Sequence, residues 1–172
     1  MAGVAHLVKR FFGSLSPIGP SAEADRQARR HLLPGEQTIW AKMARADRRH
    51  AIGVAERVER ALGSEATRPI MAAALLHDCG KTVSGLGTHG RVIATVSARL
   101  AGRDQAAAWS ETRGFTRRVG LYLEHPRLGA ELLGLAGSAP LTVAWTTEHH
   151  LPPEEWTVPV AIGEALKAAD DD

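Results

Sequence analysis

Hydrophobic positions along this chain recur at helical spacing, with Gly and Pro as punctuation, and period-2 alternation is sparse. The expected fold class is therefore all-α. A short helix is expected over 6–15, ending at the Pro17-Gly19-Pro20 cluster, followed by polar helices over 21–32 and 36–44. Asp47 reads as an N-cap for the next helix, in which Ala51, Val54, Ala55, Val58, Ala61 and Leu62 form one apolar stripe and Gly63 is the stop. His50 lies at the edge of that stripe. Arg68-Pro69 then opens a nearly all-apolar helix through Leu76, a pattern that predicts burial on every side. His77-Asp78 falls at its last turn, and Gly80 is placed to end it.

Gly85, Gly87 and Gly90 mark a loop before a helix expected over 91–101. A helix over 115–123 stops before Pro126, which puts His125 at a helix junction because a residue preceding proline is pushed out of the α region. Pro126 opens a helix carrying Leu128, Leu132 and Leu133. Pro140 opens another that reaches His149-His150 and stops at Pro152-Pro153. The last helix starts near Pro159 and aligns Ile162, Leu166, Ala169 and Asp170 along one side. The expectation is a helical bundle at 47–172, with a helical segment at 1–46 packed on it.

A length of 172 residues suits one domain. The formal charge of +2 is nearly balanced and gives no ground for a nucleic-acid partner. A single cysteine excludes an internal disulfide and fits a reducing cytoplasm. No apolar run approaches the ~20 residues of a membrane span, and Lys9-Arg10 interrupt the apolar patch at Phe11-Phe12 before it makes a signal core. Eight histidines are the one compositional oddity.

Their positions carry the chemistry. A buried helix ending in an imidazole and a carboxylate has a solvation problem, since a buried carboxylate must be paired or bound to a cation. Taken alone, the pair also has an ordinary reading, with His77 on backbone and Asp78 capping a turn. Four more sites border apolar stripes or helix ends: His50, His125, His149-His150 and Asp170. Imidazoles with carboxylates suit Mn, Fe, Co, Ni or Zn, whereas calcium and magnesium favour oxygen ligands. The lack of paired cysteines argues against a structural zinc site.

The order His50, His77-Asp78, Asp170 resembles the HD superfamily of metal-dependent phosphohydrolases. The wording supports it in Arg49-His50-Ala51-Ile52-Gly53-Val54-Ala55, in Leu75-Leu76-His77-Asp78-Cys79-Gly80-Lys81 and in Ala169-Asp170. His125-Pro126-Arg127-Leu128-Gly129-Ala130-Glu131-Leu132-Leu133 and Glu148-His149-His150 are similar to the branch with a two-metal site. The cyclic-dinucleotide enzymes of that branch carry Gly-Tyr-Pro after the paired histidines; here Leu151-Pro152-Pro153-Glu154-Glu155-Trp156 stands instead.

The resemblance implies an HD-like bundle with one or two divalent transition-metal ions. His50, His77, Asp78 and Asp170 would hold one ion. Asp78 would bridge to a second, held by His125 and His149 with His150 as an additional or alternate ligand. Asp171 and Asp172 are rivals for Asp170. Asp78 and Lys81 are the expected catalytic residues, with Lys81 on phosphate; its ordinary alternative is a helix C-terminal lysine facing the macrodipole. The implied substrate is a small phosphorylated, nucleotide-like molecule, and its identity and the oligomeric state are not legible. The same fold also hosts di-iron oxygenases, and a regulatory module that binds metal or nucleotide without turnover is a third reading. Arg48, Arg49, Arg91 and Arg118 read as anion contacts or solvated charge. Cys79 reads as packing, His6 and His31 as surface, and Trp109, Trp145 and Trp156 as core. His89 has no counterpart among the implied ligands.

Overall fold

A computed structural model describes residues 19–87, 90, 94 and 105–171. The helices expected over 6–15 and 91–101, together with His6, His89, Arg91 and Asp172, lie outside the described residues. The fold is all-α, and the described residues contain no strand. In chain order the helices are α1 (Ala22–Arg29), α2 (Pro34–Lys42), α3 (Arg45–Leu62), α4 (Arg68–Leu76), α5 (Lys81–Ser84), α6 (Gln105–Ser110), α7 (Gly114–Leu123), α8 (His125–Leu135), α9 (Pro140–Glu148) and α10 (Val160–Asp171).

Helix α4 is the axis of the bundle. Every residue from Ile70 to Leu76 is buried, as its apolar run predicts. It packs against both α3 and α9, while α10 packs on α3 and α8 on α9. Trp40, Val54, Val58, Leu75, Leu133, Trp145 and Leu166 belong to one buried cluster. Ala28, Leu32, Ile39, Trp40 and Met43 join that cluster from the N-terminal side, so the expected division at 46/47 falls inside α3 and both sides share a core. The Asp25 carboxylate links the two sides, accepting from Arg29, from the Trp40 indole and from Arg48 beside His50. Leu86, Ala94 and Val119 form a smaller second cluster that takes in Trp109.

Two local expectations are corrected. Asp47 is not the N-cap of α3: the extended residue is Ala44, and Asp47 sits in the first helical turn, where a carboxylate faces the positive end of the helix dipole. Gly80 does not close α4 in a left-handed conformation. The helix ends at Leu76 with His77 as its C-cap, and Gly80 has a right-handed φ of −64°. What requires glycine there is close approach. A Cβ on Gly80 would lie 2.0 Å from the His125 carbonyl oxygen and 2.6 Å from the Gly129 nitrogen. The contact lets α8 lie directly against the turn that carries Asp78. The left-handed glycine of this region is Gly85, which closes α5 with φ 59°.

Candidate metal centre

Six parts of the chain meet at the C-terminal end of α4. His50 comes from α3, His77 and Asp78 from the turn after α4, Lys81 from the start of α5, His125 from the α7–α8 junction, His149 from the end of α9, and Asp170 from the end of α10. His77, Asp78, His125, His149 and Asp170 are each no more than 6% exposed. His50 is about a third exposed and opens one side of the cluster.

Three of the histidines repeat one local device. His77 and His149 are the C-caps of α4 and α9, and His125 follows the C-cap of α7. In each, ring Nδ1 donates to the carbonyl three residues earlier: Ala74 at 3.0 Å, Tyr122 at 2.7 Å and Thr146 at 2.9 Å. The last carbonyls of a helix lack intrahelical donors, so each imidazole satisfies its own helix end. A carbonyl only accepts, so Nδ1 carries the proton and a neutral ring presents Nε2 as a bare lone pair.

Those three Nε2 atoms are buried and have no hydrogen-bond partner. They converge on the carboxylate of Asp78: His125 Nε2 at 3.2 Å and His149 Nε2 at 3.8 Å from Oδ1, and His77 Nε2 at 3.4 Å from Oδ2. His77 Nε2 is also 3.6 Å from Asp170 Oδ1, which receives His50 Nε2 at 2.9 Å. Asp170 thus joins His50 and His77, whereas Asp171 is exposed and turns to Lys167.

Burial, reinforced by the neighbouring His150 and His77 charges, pushes the His149 imidazole well below its ordinary range. Burial also lowers His125, against the opposing pull of Asp78. His77 moves the other way: burial opposes its charged form, but Asp78 and Asp170 outweigh it. Burial would raise the Asp78 carboxyl, yet the Lys81 and His77 charges hold it well below the usual carboxylate range. Two lone-pair nitrogens facing an anion repel it unless a cation lies between them. Left unpaired, each buried nitrogen costs about 1–3 kcal/mol, a large share for three against a fold stability of ~5–15 kcal/mol. The donor set therefore fits a borderline transition-metal ion, with nitrogen and carboxylate ligands oriented by backbone bonds at the far ring nitrogen. Among the described residues, two groups have their donor atoms mutually within 4.8 Å: His50, His77 and Asp78, and His125, His149 and His150. His150 is exposed and flanks the rings of His125 and His149 at 5.3 and 4.0 Å.

No protein-family model, curated protein or solved structure matches the chain. The site is read from its own geometry.

Lys81 begins α5 rather than ending a helix, and its ammonium is bonded to Asp78 Oδ2. Of the arginines considered for an anion, Arg48 is held by Asp25, and Arg118 donates to the Ser84 and Gly85 carbonyls at the end of α5. Cys79 is fully buried against the Gly129 carbonyl, and burial with the Asp78 charge pushes its thiol up to about 12. That is the environment of a packing residue. Trp145 is buried in the main core, and the half-buried Trp156 packs against it edge to face at 5.4 Å. Sequence reasoning assigned no role to Glu148. Its buried carboxylate accepts from the Thr157 amide at 2.8 Å and from the Thr157 hydroxyl, fixing the segment after the paired histidines.

Proposed function

We propose that this chain is an HD-type, metal-dependent phosphohydrolase acting on a nucleotide or another small phosphate ester. The observation that carries the reading is the convergence of three partnerless Nε2 atoms on Asp78. His50, His77, Asp78 and Asp170 would hold one divalent ion. His125, His149 and His150 would hold a second, with Asp78 shared. An ion so held would acidify a bound water strongly enough to supply a nucleophile near neutral pH.

The chain's own groups account for the rest. The backbone bonds of His77, His125 and His149 fix the rings before any substrate arrives, so no reorientation accompanies the reaction. Lys81 is partly exposed and bonded to Asp78, and its ammonium would meet a phosphoryl oxygen of a substrate held at the ion. Burial of the carboxylates keeps bulk water from screening these charges.

The test is phosphate release from a panel of nucleoside mono-, di- and triphosphates, cyclic nucleotides and aryl phosphoesters, with Mn, Co or Ni added to chelator-treated protein. The expected result is hydrolysis of at least one class, lost on chelation and restored by one of these ions. No hydrolysis of any member by the metal-loaded protein would overturn the proposal. Iron retention with oxygen consumption would then favour the oxygenase reading of the same ligands.

A further inference from the structure

The carboxylate of Asp170 stands on the last turn of α10, where helices fray because their final carbonyls have no intrahelical donor. Something must hold that end if Asp170 is to meet His50 and His77 in one geometry. Arg57 of α3 does so: its Nε donates to the Ala169 carbonyl at 2.8 Å, one residue before Asp170. Arg57 and His50 are seven residues apart, two turns along one face of α3. One face of α3 therefore touches the end of α10 twice, through the Ala169 backbone and through the Asp170 side chain. Gly53 gives the guanidinium room, since a Cβ there would come within 3.3 Å of Arg57 Nη1.

We infer that Arg57 is a positioning residue for the metal centre, acting on the Asp170 carboxylate through the Ala169 carbonyl. The inference rests on the metal-centre reading above. A guanidinium suits the task because it stays charged and donates in a fixed plane to a helix end of negative potential. The arrangement matches the outer-shell partners that orient metal ligands, whose removal costs about 10–100-fold in metal affinity.

The test is cobalt(II) titration followed by visible absorbance, with wild type, R57M, R57K and K167M compared. R57M keeps the aliphatic stem and removes the donor. It should weaken cobalt binding about tenfold and alter the ligand-field bands, because Asp170 no longer meets the ion in one geometry. R57K retains a cation able to donate to the same carbonyl and should recover most of the affinity. K167M removes the bond to Asp171 on the outer side of the same helix end and should change affinity less than twofold. Wild-type affinity and bands in R57M would overturn the inference. So would an equal loss in K167M, which would make the effect a general loosening of α10. Wild-type protein that binds no cobalt would instead overturn the metal-centre reading itself.

Discussion

Replacing Asp78 with asparagine should abolish metal-dependent phosphoester hydrolysis, with a loss on the order of a thousandfold or more. Asparagine has nearly the same shape, so the helical circular-dichroism spectrum should be unchanged, and the effect reports the charge. Asp78 is the group on which His77, His125, His149 and Lys81 converge. Without its charge the nitrogens of His125 and His149 lose the anion they face, His77 keeps only Asp170, and Lys81 loses its partner. Metal contributions to transition-state stabilisation amount to several kcal/mol, and each ~1.4 kcal/mol is a factor of ten in rate. Phosphate release by matched wild-type and variant protein at saturating Mn measures the loss. Undiminished hydrolysis in the variant would remove Asp78 from the mechanism.

The second large effect falls on stability. Gly80→Ala should destabilise the protein by about 3 kcal/mol or more, at the upper end of overpacking costs. A Cβ at this position meets backbone on two sides, the His125 oxygen at 2.0 Å and the Gly129 nitrogen at 2.6 Å, and no rotamer relieves either contact. Only withdrawal of α8 from the Asp78 turn makes room. For a chain of this size each kcal/mol lowers Tm by about 2–4 °C, so a fall of roughly 6–12 °C is expected. His125 moves with α8, so metal affinity should fall as well. A calorimetric Tm within 2 °C of wild type would show that the approach is not needed.

The local pattern revealed the helices well where one face or the whole element is apolar. α4 reads clearly because a short run opened by Pro69 contains only residues that favour burial. The break between α7 and α8 follows from Pro126, but it falls at Glu124 and His125 is already helical; the stop of α3 follows from Gly63, whose φ is 53°. The candidate site was legible as residue types at helix ends, and the choice of Asp170 over Asp171 followed from the position of Leu166. Contacts between distant segments were not legible. The role of Gly80 depends on α8, some fifty residues away, and those of Arg57 and Glu148 depend on a backbone carbonyl and a loop amide that no periodicity reveals. Nor does the sequence show which histidine nitrogen is committed to backbone, because any helix-end imidazole has that choice. The bonds to Ala74, Tyr122 and Thr146 commit Nδ1 to backbone and leave Nε2 of each ring facing inward, where it could hold a metal ion.

We propose that these nitrogens and carboxylates hold a transition metal, which elemental analysis tests on protein stripped with chelator, reloaded with Mn, Co, Ni, Fe or Zn, and freed of excess ion. The expected result is one to two equivalents of at least one metal per chain in the wild type and none in Asp78→Asn. A wild type that retains no stoichiometric metal, or an Asp78→Asn variant that retains as much, would contradict it.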